Sequence, residues 1–373
     1  MIQLLLLHIC VVGLAILFAS IGVKVNRKEG NRFKLNYGYI LSFLFLFLLL
    51  GFRINLGRDW DGYETIYNSI YQQEYVFGDS RELGFLLLVR FLRSLGFEFQ
   101  SFIIVSSFLT LFFFFVSYRK FYFLLPFGIF IFWGDWGYTV SINTIRQGIA
   151  LMLFLNASLY IDSQEKRAGF KFLLFLFLGF LFHYSILLFL PFFYIGRLKL
   201  NDSTFILLCL MIFVVSQFVI LPAFEDIISL IDKYQHYASD NRLFNDNNSF
   251  GLGALLLLFI RFAPISAYSY VKQHHPSLLK FLVLYFIGLS IYYGFYKYML
   301  IIRFTFYLQF IELFVMAYFL YFLFVEKKIN RLFGYGYVTA ILFNYIYTFK
   351  DFLADQLLSS NVSLMFMDFV YRQ

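Results

Sequence analysis

Acidic and aromatic side chains are concentrated in residues 57–64, with the sequence GRDWDGYE. Tryptophan and tyrosine present flat apolar faces with a polar edge, which suits stacking on the C–H faces of sugars. Carboxylates accept hydrogen bonds, so they can bind sugar hydroxyls. The same composition is typical of the aromatic belt at a membrane surface, with the acids in water. From these residues alone, both interpretations stay open.

Three arginines lie within apolar runs or at their ends: Arg146, Arg261 and Arg303. A guanidinium is costly in hydrocarbon unless it has an acid, carbonyl groups, water or an anionic ligand. Its planar fork fits phosphate oxygens, but an arginine near the interface can also extend to water. For Arg146 the two interpretations are evenly balanced. Arg303 is the better ligand contact of the other two, because a structural pairing is a serious alternative for Arg261.

His183 lies within a strongly apolar stretch, followed by Ser185. An ionisable residue at membrane depth indicates a functional site, although a neutral histidine can also simply bind a neighbour. No acid near Ser185 completes a nucleophilic triad. The two cysteines and five histidines have no spacing typical of a disulfide framework or a metal site, so we predict no metal and no cofactor.

The elements that must position these residues are membrane helices. The chain has 373 residues, of which 61% are hydrophobic and 14% charged, and its mean hydropathy is +0.75. Such a composition excludes a soluble domain and a disordered chain. Long runs of Leu, Phe and Ile without alternation indicate helices. We predict an all-α polytopic membrane protein, residues 1–373 as one domain, with about 10–12 transmembrane helices.

Basic residues in short loops predict the cytoplasmic side. They concentrate in residues 24–34, 119–120, 166–171, 197–199, 272–280 and 327–331. The extracytoplasmic segments are then near 53–98, 135–145 and 225–249, with the tail 350–373 on the same side. The formal net charge of +8 reflects this topology and does not indicate nucleic acid binding.

Two segments do not fit this topology as ordinary single crossings. Residues 171–195 have basic residues at both ends, so one crossing would invert every later loop. A hairpin of two short helices, with its tip near residues 183–185, is favoured over a single crossing. Residues 82–97 are amphipathic and are predicted to lie along the outer interface.

Several short motifs occur in an order that matches one known family. They are Gly57-x-Asp59 with Tyr63, Glu82-x-Gly84-Phe85, residues 146–150 (RQGIA), Phe182-His183-x-Ser185, Lys233-Tyr234 with Tyr237, and Arg303 with Tyr307. Over roughly residues 35–325, the chain resembles the EpsG-like branch of Wzy-type polysaccharide polymerases.

The resemblance implies a Wzy/GT-C-like bundle and a glycosyl transfer on the outer face of the bacterial cytoplasmic (inner) membrane. Repeat units linked to undecaprenyl pyrophosphate would be joined into O-antigen, capsule or exopolysaccharide. The growing chain would move onto a sugar hydroxyl of the incoming unit, with release of undecaprenyl pyrophosphate. No metal or nucleotide sugar is expected. The implied partners are the lipid-linked oligosaccharide, membrane lipid, a chain-length regulator and a flippase.

The resemblance also implies roles for residues. Arg146 and Arg303 would contact the pyrophosphate, whose charge grows in the transition state. His183 would be the general base for the acceptor hydroxyl, with Asp59 as the alternative. Asp59, Asp61, Tyr63 and Glu82 would also bind or orient the glycan. The remaining substrate-binding candidates are Arg58, Lys233, Tyr234, Tyr237 and Arg261.

Other classes of membrane protein stay open. A lipid-linked oligosaccharide flippase also needs a basic cavity, but transporters often have two related halves, which are not visible here. An O-antigen ligase-type transferase shares the donor and differs in its acceptor, so the sequence separates it poorly. A membrane acyltransferase would need a stronger histidine-plus-acid pattern than His183 alone.

Overall fold

The computed structural model describes residues 2–30, 32–69, 82–134, 137–195, 201–215, 252–295, 299–326, 331–359 and 363–364. These residues are almost all helical. The α-helices are α1 (Ile2–Lys28), α2 (Tyr37–Gly51), α3 (Trp60–Ser69), α4 (Leu83–Ser94), α5 (Phe99–Tyr118), α6 (Leu125–Gly134), α7 (Gly137–Asn143), α8 (Ile145–Ser158), α9 (Ala168–Phe180), α10 (Phe192–Ile195), α11 (Asp202–Val215), α12 (Leu252–Phe262), α13 (Tyr268–His274), α14 (Pro276–Gly294), α15 (Met299–Gln309), α16 (Glu312–Tyr321) and α17 (Arg331–Ser359).

Shorter pieces of structure join these helices. The 3₁₀ turns are Arg119–Leu124, Tyr184–Phe189 and Ala263–Ala267, and Phe322–Glu326 forms a π-helical turn. Two two-residue strands, β1 (Arg53–Ile54) and β2 (Ser363–Leu364), pair antiparallel, with Arg53 opposite Leu364.

Within the described ranges, five helical segments are long and apolar enough to cross a membrane. Several others, including α2, α9 and α11, are apolar but shorter. The prediction of an all-α polytopic membrane protein is confirmed. The segment from Phe99 to Gly134 contains two helices, because Phe121 leaves helical geometry with φ −121° and ψ 44°.

The predicted hairpin at residues 171–195 is also confirmed. Helix α9 ends at Phe180, and the chain returns through a 3₁₀ turn and α10. The rings of Phe172 and Phe193 lie 4.9 Å apart. A Cβ added at Gly179 would meet the side chain of Ile186. In both pairs the two residues are equally far from positions 182–183 along the chain. The two arms of the hairpin therefore run antiparallel.

Helix α4 has the amphipathic character predicted for residues 82–97. Phe85 and Val89 are buried, whereas Leu87 and Phe91 are more than half exposed. Such a helix suits an interface position, with one apolar face against the protein and the other toward lipid.

Helix α8 lies at the centre of the fold. Each of its residues except Arg146 is buried, and it packs against α5, α7 and α9. A helix that is apolar around its whole circumference must be enclosed by others. We call the end of the bundle at Ile145 the site end and the end at Ser158 the basic end.

Arg53 fixes the loop that follows α2. Its side chain is buried and donates to the carbonyls of Leu50 and Leu56 and to Ser107 Oγ, the last at 2.9 Å. Gly57 has φ +137°, and a Cβ there would lie 2.8 Å from the carbonyl oxygen of Ile142. The loop leading to Asp59 is therefore held closely against α7.

One predicted loop is wrong. Residues 272–280 were expected to form a loop, but α14 begins at Pro276, so Lys280 is inside a helix and buried. Proline is well suited to the first turn of a helix, where its missing N–H costs nothing. Helix α17 continues to Ser359, so the segment from residue 350 begins as helix, and its extracytoplasmic position stays a prediction.

Candidate functional site

Glu82 is the centre of a charged cluster at the site end. Its side chain, only 5% exposed, forms an ion pair with Arg146 through Oε2. Its other oxygen, Oε1, lies 2.8 Å from Nδ1 of His183. One carboxylate thus joins the first turn of α8 to the tip of the α9–α10 hairpin.

Close backbone contact places Glu82 beside the hairpin tip. The amide of Gly84 donates to the carbonyl of Leu181 at 2.7 Å. A Cβ at position 84 would also lie 2.7 Å from that oxygen, so only glycine allows this approach. The sequence Glu82-x-Gly84 therefore has a structural reason: the glycine brings α4 against the hairpin, and the glutamate meets His183.

The guanidinium of Arg146 packs on two aromatic rings. Its Cζ lies 5.3 Å from the centroid of Phe85 and 5.9 Å from that of Tyr63, both within the range of cation–π attraction. The side chain is 29% exposed. Its Nε has no hydrogen-bond partner among the residues that the structure describes, so Glu82 does not use all of its donors.

His183 is held in one orientation by this arrangement. It interrupts the helical hairpin in an extended conformation, with φ −159° and ψ 116°. Because a carboxylate only accepts hydrogen bonds, the Nδ1 atom that faces Glu82 is assigned as the donor. In the neutral ring Nε2 is then an acceptor. The side chain is 30% exposed.

The pKa of Glu82 results from opposing effects. Burial raises it, while the hydrogen bond from His183 and the charge of Arg146 lower it, and the net result is a pKa below the ordinary value. Glu82 is therefore a carboxylate at neutral pH, which keeps both of its partners in place.

Asp59 lies among three arginines. Partial burial raises the pKa of its carboxyl group, and the charges of Arg303, Arg146 and Arg58 act in the opposite direction. The backbone amide of Arg58 donates to Asn143 Oδ1 at 2.8 Å, which anchors the loop to the end of α7. Arg58 and Arg303 have exposed side chains. We call this partly exposed group of Arg58, Asp59, Arg146 and Arg303 the mouth of the site end.

Two further contacts attach α15 to this region. Gln147 Nε2 donates to the carbonyl of Arg303 at 3.1 Å. Tyr307, whose side chain is buried, has its hydroxyl 3.1 Å from Ser185 Oγ. Sequence reasoning noted Tyr307 and Ser185 within motifs but did not predict their contact. Their separation by 122 positions leaves no signal in local spacing.

The other predicted site residues have different surroundings. Asp61 is exposed on α3, two residues before the buried Tyr63. Arg261 is buried on α12, with its Cζ 5.1 Å from the ring of Tyr292 on α14. Lys233, Tyr234 and Tyr237 lie outside the described residues. In the part of the chain that is described, no group of three or more His, Cys, Asp or Glu residues is placed to hold a metal ion.

Comparisons with known proteins give one match. The model of the EpsG family matches residues 36–361, a range that contains every residue of the Glu82 cluster and the three arginines around Asp59. Searches of curated proteins and of solved structures find no match. This family is one of Wzy-like polysaccharide polymerases, and the match covers most of the chain, so the chain belongs to the EpsG family.

Proposed function

We propose that this membrane protein joins oligosaccharide repeat units carried on undecaprenyl pyrophosphate. The hydroxyl oxygen of the acceptor sugar attacks the anomeric carbon of the growing chain. The bond from that carbon to the pyrophosphate oxygen breaks, and undecaprenyl pyrophosphate leaves with the bonding electrons. The observation that carries the proposal is the buried Glu82 bound to both Arg146 and His183.

His183 is the proposed general base. With Nδ1 bound to Glu82, Nε2 accepts the proton of the acceptor hydroxyl as the new glycosidic bond forms. Glu82 stabilises the imidazolium that results, as the buried carboxylate does in a catalytic triad. Sequence reasoning assigned Glu82 to the glycan, but both of its oxygens bind neighbouring side chains, so we propose a positioning role. Asp59 is the alternative base.

Arg146 and Arg303 are the proposed contacts of the pyrophosphate. Negative charge grows on the leaving oxygen in the transition state, and fixed cations stabilise it. Arg146 is held by Glu82 and two rings, which lowers the entropy lost on binding. Arg58 and Arg303 are exposed at the mouth and would meet the outer part of the same group.

The glycan is proposed to lie along the loop and α3. Asp59, Asp61 and Tyr63 would contact its hydroxyls and ring faces. Lys233, Tyr234 and Tyr237 remain proposed substrate contacts on the strength of the family motif alone. Arg261 remains a proposed contact because a guanidinium within a membrane crossing needs a polar or anionic partner.

The site end is proposed to face the outside of the bacterial cytoplasmic membrane. Among the described basic residues, Arg119, Lys171 and Lys280 support this orientation, since each contacts Leu159 or Tyr160 at the other end of α8. The product would be O-antigen, capsule or exopolysaccharide. A flippase would supply lipid-linked units, and a chain-length regulator is a proposed partner.

The test is a gel profile of surface glycan in a strain that lacks the gene. The strain is complemented with wild type, Arg146→Ala or Arg119→Ala. Arg119 is a matched control, because its guanidinium binds the Tyr160 hydroxyl at the basic end at 2.7 Å. We expect a ladder of polymer with wild type and with Arg119→Ala. Arg146→Ala should give single repeat units, since loss of one charge-stabilising donor costs about 100-fold or more in rate.

Other outcomes contradict the proposal. Long polymer with Arg146→Ala, at equal amounts of inserted protein, excludes the pyrophosphate role of this residue. Lipid-linked units trapped on the inner side of the deletion strain indicate a flippase. Polymer of normal length that is not attached to its final acceptor indicates a ligase.

A further inference from the structure

A cavity of about 380 Å³ is lined by none of the helices α4, α8 and α9, which adjoin the Glu82 cluster. Its walls come from α1, α6, the π-helical turn Phe322–Glu326 and α17. This volume is within the range of small-molecule sites. The walls are apolar except for Lys24, Arg27 and a few hydroxyl groups such as that of Ser20.

The cavity is elongated along the helix axes. On α1 its lining residues include Ile16, Ser20, Val23 and Arg27, whose spacing places them on one face. From Ile16 to Arg27 this face extends about 16 Å at 1.5 Å per residue. On α6, Phe127 and Phe130 line the opposite wall.

Charge is confined to one end of this groove. Lys24 and Arg27 are exposed and lie beside the 3₁₀ turn that follows α5, since the charge of Arg27 acts on Tyr122. Among the described residues, neither cation has an acidic partner within ion-pair distance. The nearby acids are engaged elsewhere: Glu29 binds Lys34 at 3.1 Å, and Glu326 binds His275 at 3.0 Å.

A π-helical turn shapes the wall opposite α1. Phe324 and Val325 belong to this turn and line the groove. Such turns are rare and often occur at functional sites, because the extra residue displaces side chains from the regular helical positions. Val325 is 42% exposed, although it is apolar.

We propose that this groove binds one anionic glycerophospholipid of the leaflet at the basic end. The phosphate lies between Lys24 and Arg27, and one acyl chain follows the apolar walls toward Ile16 and Phe130. The groove has apolar walls along the membrane helices and, at one end, two cations without an acidic partner among the described residues, so it matches a lipid in both shape and charge. None of the residues that line this groove belongs to the proposed polymerase site. The test of lipid binding is therefore independent of the test of polymerase activity.

Native mass spectrometry of the detergent-solubilised full chain tests the proposal. The probes are phosphatidylglycerol and phosphatidylcholine with identical acyl chains. We expect wild type to retain one phosphatidylglycerol in preference to phosphatidylcholine. Lys24→Gln/Arg27→Gln should weaken phosphatidylglycerol binding about 30-fold, since each cation near the surface contributes about 1 kcal/mol. The matched control, Lys28→Gln/Arg32→Gln, removes the same charge from residues that do not line the groove and should bind as wild type.

A second variant tests the groove itself. Ser20→Phe keeps both cations and fills the apolar channel, so it should lose the bound lipid while the protein still elutes as a single species. Retention of phosphatidylglycerol by Ser20→Phe overturns the proposal, because the lipid is then held by surface charge alone. An equal loss in the control pair, no preference between the two lipids, or displacement by inorganic phosphate also overturns it.

Discussion

Charged side chains lie at both ends of the buried helix α8, and their partners differ. At the basic end, Lys280 donates to the carbonyls of Leu159 and Ile161, the first at 2.8 Å. At the site end, Arg146 is bound to a side chain, Glu82, and remains 29% exposed. Lys280 binds only backbone carbonyls in these contacts, whereas Arg146 binds a carboxylate and is partly exposed.

The two cations therefore need different explanations. The carbonyls of Leu159 and Ile161 follow the last residue of α8, and a cation there satisfies them and interacts favourably with the helix dipole. Lys280 therefore has a complete structural explanation. The first turn of a helix attracts anions, so a cation at that position, such as Arg146, is not explained by α8 itself. The buried carboxylate of Glu82 binds it, and the proposed pyrophosphate substrate would be its second partner.

Glu82→Gln should have the largest effect. An amide keeps the size of the side chain, but it can donate to Nδ1 of His183 and so favour the wrong tautomer. It also removes the charge that holds Arg146. We expect polymer synthesis per inserted molecule to fall about 1000-fold, measured as incorporation of labelled repeat units. The matched variant Glu165→Gln, which breaks the exposed pair with Lys171 at the basic end, should change it less than twofold. Similar losses of polymer synthesis in Glu82→Gln and Glu165→Gln would contradict a chemical role for the site end alone.

Arg303→Ala should have the next largest effect. Its exposed guanidinium acts on Asp59 and would meet the pyrophosphate at the mouth, where water weakens the interaction. A loss of about 10- to 100-fold is expected, below that for a fully enclosed donor. The measurement is release of lipid pyrophosphate. Unchanged release would place the pyrophosphate away from this mouth.

Lys280→Met should affect stability and leave the chemistry unchanged. The carbonyls of Leu159 and Ile161, just after α8, lose a charged donor, which costs about 2 kcal/mol. The melting temperature of the detergent-solubilised protein should fall, while activity per folded molecule stays the same. Lys171→Met, at an exposed position, serves as the control and should leave the melting temperature nearly unchanged. A melting temperature equal to that of wild type in Lys280→Met would contradict the structural role.

Acid should weaken the site end by a smaller amount. The pKa of Glu82 is below its ordinary value in the folded protein, so folding is stabilised when the group is ionised. This contribution is present above the unfolded pKa of about 4.3 and is lost as the pH falls through the folded value. The melting temperature of wild type should therefore decrease more steeply below that pH than that of Glu82→Gln. Parallel curves would show that the pair contributes no stability.

Composition and charge predicted the parts of the fold that depend on local pattern. The basic residues at both ends of 171–195 predicted the hairpin and its tip at His183, and the amphipathic spacing predicted α4. The prediction of a loop at Lys280 was wrong, because a lysine shortly after a proline is typical of a loop. Its acceptors lie about 120 positions earlier in the chain, and only the packed structure brings them together.

The candidate site was predictable as a list of residues but not as a geometry. Glu82 lies 64 positions from Arg146 and 101 from His183, and no local periodicity connects them. From the sequence, Glu82 is therefore predicted to bind the glycan. In the structure, both of its carboxylate oxygens bind the side chains of Arg146 and His183. The contact of Ser185 with Tyr307 has the same origin in packing.

The most direct measurement compares His183→Ala with Lys280→Met in one reconstituted assay. The full chain in vesicles receives lipid-linked repeat units, and release of lipid pyrophosphate is measured at equal amounts of folded protein. The proposed mechanism predicts a loss of about 100-fold or more for His183→Ala and the wild-type rate for Lys280→Met. A wild-type rate in His183→Ala, or equal losses in both variants, would contradict the claim that chemistry occurs at the site end.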